Sequence, residues 1–159
     1  MIRGEGTAFI AGVTADEVFD FVLDPAQYTK ADTKIVDVVK LGDIPDGMIA
    51  REDGKFLGMF PGSVITRYRW KRPHSIDVVL EHGVPASMHA WFEIEDRDGG
   101  THLHHVEEIA MPRPVGLLWD VAVRGWFARS VREEVAEIAR LMASGERGRG
   151  LDAHAGATA

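Results

Sequence analysis

The chain has 159 residues, 45% of them hydrophobic and 27% charged, with a net charge of −7 and no cysteine. This length suits one folded domain with a substantial core, since domains most often contain about 100–150 residues. The acidic charge disfavours nucleic acid binding, which needs a basic surface, and the lack of cysteine excludes disulfides and thiol catalysis. No apolar run approaches the roughly 18 residues of a membrane span, and no signal-peptide pattern is present. We therefore expect a cytoplasmic protein without stable membrane insertion.

The first predicted elements are a strand over residues 1–11 and a well-marked helix after it. Thr14 and Glu17 fit a capping box, in which each side chain accepts a hydrogen bond from the backbone N–H of the other residue. An apolar stripe at helical spacing follows. Pro25 ends this helix, because the residue before a proline avoids the α conformation, and it can begin a second short helix up to residue 30.

The region from residue 34 to residue 111 has a two-residue period that is typical of strands. A valine-rich segment covers residues 34–41, and Asp-Gly pairs at residues 46–47 and 53–54 predict hairpin turns. Residues 55–62 fit either a strand extension or a bulged loop. Apolar residues alternate with polar ones in four further segments: 63–71, 75–82, 87–96 and 101–111. This alternation predicts an antiparallel sheet of six to seven strands with one covered face.

The last predicted element is a long helix over about residues 114–143. Such a helix spans about 45 Å, enough to cover the concave face of a bent sheet and to leave a pocket between the two. Residues 1–144 are therefore predicted to form one domain, followed by a flexible Gly/Ala-rich tail at residues 145–159. The apolar stripe of the helix contains Val115, Leu118, Trp119, Ala122, Trp126, Val131, Val135, Ile138 and Met142.

Four short motifs mark a helix, two turns and a helix start: residues 15–25 with Tyr28, residues 71–73, residues 99–103 and residues 114–118. With these motifs the chain resembles the START-related SRPBCC helix-grip superfamily, in particular its polyketide cyclase/dehydrase branch, which has many bacterial members. The resemblance implies an α+β fold in which a curved antiparallel sheet wraps around the C-terminal helix, with two short helices after the first strand. It also implies binding of lipids, sterols, polyketides or quinones, and only some members are enzymes.

His105 and Glu107 are the candidate catalytic residues. They lie two residues apart on the predicted inward face of the last strand, so their attachment points are about 6.5–7 Å apart. A histidine and a carboxylate in an apolar cavity would have shifted pKa values, which suits general acid–base catalysis. The alternatives are that they pair with each other, with Tyr68 or with a buried water, or that an inverted register turns both outward.

The predicted ligand-binding wall consists of inward-facing residues from the strands and the helix: Tyr68, Trp70, Val78, Leu80, Phe92, Ile94, Leu103, His105, Glu107, Ile109, Trp119, Ala122 and Trp126. The large aromatic members either stack on a ligand or fill an ordinary core.

Three surface features have a functional and a simpler interpretation. His102 and His104, with His89 or Glu108, could hold a metal, although solvated imidazoles explain them better, and no metal or cofactor is predicted. The basic residues Arg67, Arg69, Lys71 and Arg72 could attract an anionic ligand or an acyl-carrier protein, or form a solvated strand face. Residues 58–62 could form a lid, a contact surface for a partner protein or a buried turn.

Two functions remain open at this point. The first is binding of a hydrophobic, lipid- or polyketide-like small molecule in an internal cavity, as a carrier or sensor. The second is a polyketide cyclase or dehydratase that uses His105 and Glu107. A cavity smaller than about 300 Å³ would weaken both. An interaction module and a homodimer are permitted but have no specific support in the sequence.

Overall fold

The computed structural model describes residues 1–56, 60–112 and 115–145, apart from the side chains of residues 56, 60, 115 and 117–119. The elements follow the predicted order: β1 Ile2–Ala11, α1 Ala15–Leu23, α2 Pro25–Ala31, β2 Ile35–Ile44, β3 Gly47–Phe56, β4 Phe60–Lys71, β5 Ser75–His82, β6 Ser87–Arg97, β7 Gly100–Ala110 and α3 Val115–Ala143. The predicted helix start at Pro114 and residues 146–159 of the predicted tail lie outside the described residues, as do residues 57–59.

The seven strands form one antiparallel sheet in the order β1-β7-β6-β5-β4-β3-β2. The long helix α3 packs against β1 and β7 and also contacts α2. This arrangement confirms the predicted helix-grip fold. Gly4 of β1 allows close packing of the helix, because a Cβ atom at this position would lie only 2.4 Å from Val131 Cγ2.

Local capping interactions fix the two short helices. The predicted capping box is present: Thr14 Oγ1 accepts from the Glu17 N–H at 3.4 Å, and Glu17 Oε2 accepts from the Thr14 N–H at 2.8 Å. Asp24 ends α1 and caps α2 by accepting from the Ala26 N–H at 2.9 Å. The orientation of α2 that results buries Tyr28 and leads directly to the buried Asp32.

One of the two predicted Asp-Gly hairpin turns is wrong. Asp46 has the left-handed backbone that such a turn needs, with φ of 53°, and it connects β2 to β3. Asp53 and Gly54, in contrast, pair with β4 inside the sheet. Glycine is required at position 54 for a different reason. A Cβ atom there would lie only 2.6 Å from the carbonyl oxygen of Lys34, so the backbone at Lys34 leaves no room for a side chain.

The predicted apolar stripe of α3 is correct in its C-terminal half and displaced by one residue nearer its start. Val131, Val135, Ile138 and Met142 are buried, as predicted. Counting back from Val131 in steps of four reaches the buried Phe127 and Val123, whereas Ala122 is exposed. The helix therefore faces the sheet about 100° away from the predicted direction at this point, since each residue advances the helix by that angle. The side chains of Val115, Leu118 and Trp119 lie outside the described residues.

Among the described residues, the buried apolar side chains form two clusters. The larger one joins α1, α2 and the central strands to the C-terminal half of α3, and includes Phe19, Ile76 and Ile138. The smaller cluster surrounds the N-terminal half of α3 and contains Ile2, Ile109, Val123, Phe127 and Val131.

Candidate ligand-binding cavity

A cavity of about 320 Å³ lies between the sheet and the N-terminal half of α3. Most of its lining consists of apolar side chains from α1, from strands β1, β2, β4, β5, β6 and β7, and from α3. Lys55, Pro61, Gly62 and Val84 line it and are exposed, which places its opening near these four residues. The polar residues of the lining come from four elements and their flanks: Tyr28, Asp32, Lys34, Glu52, Lys55, Tyr68 and Glu107. The volume is within the range of small-molecule sites.

Six of the thirteen predicted wall residues line this cavity: Tyr68, Val78, Phe92, Glu107, Ile109 and Trp126. Six others do not: Trp70, Leu80, Ile94, Leu103, His105 and Ala122. The side chain of the remaining residue, Trp119, is outside the described residues. Ile94 and Leu103 are buried in the larger cluster, and Trp70 packs edge-on against Phe19 at 6.5 Å. Strand alternation identifies the covered face of the sheet but not the point along each strand where packing gives way to open space.

His105 is completely buried but does not border the cavity. Its ring stacks on Phe92 with centroids 3.8 Å apart, and Phe92 does line the cavity. Nδ1 lies 3.0 Å from the Trp91 carbonyl oxygen, so it carries a proton, because a carbonyl can only accept. Nε2 lies 3.4 Å from Glu107 and 3.3 Å from Glu134. Of the arrangements considered from the sequence, the structure therefore has the His105–Glu107 pair, with a second carboxylate in addition.

Lys34 connects these carboxylates to the lining of the cavity. Its Nζ atom lies 2.8 Å from Glu134, 3.2 Å from Glu107 and 3.5 Å from Asp32. The Tyr28 hydroxyl donates to Glu134 at 2.6 Å. We call these six residues the buried charge cluster: Tyr28, Asp32, Lys34, His105, Glu107 and Glu134.

Burial and neighbouring charges act in opposite directions on the pKa values of the cluster. Burial alone would lower the pKa values of Lys34 and His105, but the surrounding carboxylates raise both above their usual values. Burial would raise the pKa of Glu107, but attraction to Lys34 and the hydrogen bond with His105 lower it to about 2. Lys34 and His105 thus face the carboxyl groups of Glu107 and Glu134, and Asp32 is the third carboxyl. Its burial, together with repulsion from the other two, outweighs Lys34 and raises the Asp32 pKa to about 7.

Glu52 forms a second polar group on the cavity wall. Its Oε1 atom accepts from the Thr66 hydroxyl at 2.7 Å and from the Tyr68 hydroxyl at 2.6 Å. Burial raises the pKa of the Glu52 carboxyl, although these two hydrogen bonds partly offset the effect. The polar end of the cavity therefore combines a charge cluster with a hydrogen-bonded acid.

His105, Glu107 and Glu134 have ligand atoms within 4.8 Å of one another, the spacing of a metal site. The ammonium group of Lys34 already supplies a cation to both glutamates at 2.8 and 3.2 Å. A divalent ion at this point would have to displace or repel that lysine. The geometry therefore fits an ion-pair network rather than a metal centre.

Several residues of the other predicted features take part in ion pairs. His104 lies 2.8 Å from both Glu93 and Glu5, and these contacts raise its pKa. Arg72 binds Asp16 and Asp20 of α1, so its charge on this basic surface is neutralised. Arg67 likewise pairs with Glu81 at 3.1 Å. Residues 58 and 59 of the predicted lid lie outside the described residues.

Sequence reasoning missed Asp32, Lys34, Glu52 and Glu134. A signal existed for Glu134, which lies three residues after Val131 and four before Ile138 and so shares their buried helix face. For Lys34 the local sequence gives no comparable signal, since its partner Glu134 is 100 residues away.

Residues 1–143 match the family described as "Polyketide cyclase / dehydrase and lipid transport". The chain belongs to this family. Membership supports a role in hydrophobic ligand binding or polyketide chemistry, without specifying which. A comparison with curated proteins gives no match.

Solved structures show the same fold at low sequence identity. A protein of Thermus thermophilus has a TM-score of 0.76 and 10% identity, with 92% of this chain and 99% of that chain covered. The Zhui aromatase/cyclase of Streptomyces sp. R1128 has a TM-score of 0.64 and 15% identity over 90% and 97% of the two chains. A START superfamily protein of Mycobacterium smegmatis has a TM-score of 0.62 and 19% identity over 86% and 98%. Within the described ranges, no helix has the length and apolar character needed to cross a bilayer.

Proposed function

We propose that this protein binds a hydrophobic small molecule, lipid- or polyketide-like, in the cavity between the sheet and α3, as a carrier or sensor. The observation that carries the proposal is the cavity itself: about 320 Å³ of space with a mostly apolar lining and an exposed rim. Apolar cavities of this kind bind hydrophobic molecules because water gains few hydrogen bonds inside them. Pockets for small molecules combine such walls with a few polar groups, which is the composition found here.

The geometry of the acid–base pair favours binding over catalysis by that pair. His105 has both ring nitrogens engaged and does not border the cavity. Glu107 does border it, but Lys34 and His105 hold it as a compensated carboxylate. A general base with its charge compensated in this way is weak, since the same contacts that lower its pKa lower its basicity.

A cyclase or dehydratase of polyketide type is the second candidate function. Three carboxyl groups favour it because they line the cavity: Glu107, Asp32 and Glu52. With its pKa near 7, Asp32 could exchange a proton with a substrate at neutral pH. In such an enzyme Glu107 would contact the substrate, and His105 would position the Glu107 carboxyl. Incubation with a synthetic linear poly-β-ketone thioester, followed by mass spectrometry, tests this. Loss of water beyond the protein-free rate supports the enzyme, and loss at the protein-free rate supports the carrier.

Ligand binding is tested with 2-naphthol as the probe, by isothermal titration calorimetry. Val64 of β4 lines the cavity, and its neighbour Ile65 does not, so Val64→Trp and Ile65→Trp form a matched pair. The wild-type protein and Ile65→Trp are expected to bind the probe, and Val64→Trp to bind it at least about tenfold more weakly, because the indole occupies the cavity. Absence of binding to the wild type, or equal binding by both variants, would contradict the proposal.

A further inference from the structure

Asp32 lines the cavity and has one unpaired carboxyl oxygen. The residue directly follows α2, is 1% exposed and lines the cavity. Its Oδ1 atom accepts from the backbone N–H of Lys34 at 2.8 Å and lies 3.5 Å from Lys34 Nζ. Its Oδ2 atom is buried and has no hydrogen-bond partner in the part of the chain that the structure describes. Buried polar atoms are nearly always paired, so an unpaired one in a residue that lines a cavity points to a partner from outside the chain.

The charges around Asp32 determine what that partner can be. Glu107 and Glu134 share Lys34 with it, and Glu52 lines the same cavity. An anionic ligand would therefore enter a site that already holds more carboxyl groups than cations. The ammonium group of Lys34 faces three carboxyl groups and is not available to a fourth. A cationic end would be repelled by Lys34, whose Nζ atom lies 3.5 Å from the other oxygen of the same carboxyl. We therefore expect the ligand end that reaches Asp32 to be uncharged.

A hydroxyl group meets these conditions best. It can donate to the ionised Oδ2 atom and can accept from the protonated one, so it pairs with either state of the carboxyl. This flexibility matters because burial and neighbouring carboxylates raise the pKa of Asp32 to about 7. A carbonyl or an ether oxygen can only accept, and therefore pairs with the protonated state alone.

From this geometry we infer that Oδ2 of Asp32 is the binding point for a hydroxyl group at one end of an uncharged, otherwise hydrophobic ligand, such as a phenol or an alcohol. The apolar body of the ligand would extend from Asp32 past Val78 and Ala90 on the wall of the cavity. This inference rests on the proposed binding function and narrows its ligand class.

The test compares 2-naphthol with 2-methoxynaphthalene, which has the same apolar body but no hydroxyl donor. At pH 8, where Asp32 is mostly ionised, the wild-type protein is expected to bind 2-naphthol about tenfold or more tightly, the gain typical of a hydrogen bond to a charged group. In Asp32→Asn this preference is expected to disappear, because the new amide can donate equally to a hydroxyl or an ether oxygen. The amide oxygen can still accept from the Lys34 N–H, so the variant should keep the turn after α2.

Asp37→Asn is the control: it makes the same change from carboxyl to amide at an exposed residue of β2 that does not line the cavity, and it should keep the preference. Equal affinity of the wild type for the two compounds would overturn the inference while leaving the cavity function standing. A preference that persists in Asp32→Asn would overturn it as well. Failure of both compounds to bind would instead contradict the proposed function.

Discussion

The two halves of α3 use the same helix face for different purposes. In the C-terminal half, Val135, Ile138 and Met142 are at most 1% exposed and complete the filled core beneath α1. In the N-terminal half, Phe127 and Trp126 border open space. Glu134 lies between the two halves and connects α3 to the buried charge cluster through its contacts with Lys34 and His105. One element can therefore stabilise the fold at one end and leave room for a ligand at the other.

The largest expected effect comes from removing the ammonium group of Lys34, which contacts Asp32, Glu107 and Glu134. Lys34→Met leaves three buried carboxyl groups without their common partner and should lower the free energy of unfolding by about 3–5 kcal/mol. Chemical denaturation at pH 7 measures this. The control is Lys40→Met on β2, where the lysine pairs with Asp43 on an exposed surface and should contribute less than about 1 kcal/mol. Similar losses for the two variants would show that the cluster does not act as a buried unit.

Truncating one apolar side chain in each half of α3 tests the comparison directly. Ile138→Ala creates a cavity in the filled core and should cost about 2–5 kcal/mol. Trp126→Ala removes a larger side chain but should cost less, because Trp126 is only half-buried and already borders a cavity. It should also weaken binding of 2-naphthol, which Ile138→Ala should not. Denaturation and calorimetry on both variants check the two expectations. A greater loss of stability in Trp126→Ala than in Ile138→Ala would contradict the view that the C-terminal half is the filled one.

The pH dependence of stability should identify Glu107 as an ionised member of the cluster. Its pKa is about 2 in the folded protein against an ordinary value of 4.5, so folding favours the ionised form. The unfolded chain binds the proton first as pH falls, and the stabilisation present above pH 4.5 is therefore lost on acidification towards pH 2. The loss of unfolding free energy between pH 6 and pH 3 should be smaller in Glu107→Gln by on the order of 2 kcal/mol. Parallel curves for the two proteins would contradict this charge assignment.

A smaller effect is expected at the start of α1, which belongs to the filled half. Thr14→Ala removes the capping hydrogen bond to the Glu17 N–H and should cost about 1 kcal/mol. Because α1 packs mainly on the filled core, affinity for 2-naphthol should stay within about twofold of wild type, a change below 1 kcal/mol. Thermal denaturation and calorimetry measure the two quantities. A large loss of affinity would mean that the filled half and the cavity are not independent.

The sequence predicted the fold well because its signals are local. The Thr14–Glu17 capping box and the alternation in β5, β6 and β7 depend on neighbouring residues, and the structure confirms them. The Asp53-Gly54 turn was predicted wrongly, since an Asp-Gly pair is also compatible with a glycine needed for close packing inside a sheet.

The site was only partly predictable, because it depends on contacts between distant segments. The inward direction of Glu107 follows from strand alternation, and in the structure this residue lines the cavity. The position of Lys34 among the carboxylates depends on the path of the chain after α2 and on a helix 100 residues further along. The prediction that Ala122 is buried is wrong because helical spacing is also satisfied by a stripe displaced by one residue, and here the buried residue is Val123.

The most direct test of the account is a titration of the methyl-labelled protein with 2-naphthol, followed by NMR. Binding in the cavity should give chemical-shift changes and contacts to the probe at Val78, Ala90 and Ile109, which line the cavity, and little change at Val135 and Ile138 in the filled half. Changes confined to exposed residues such as Val121, or no saturable change at any methyl group, would contradict a ligand-binding cavity beside α3.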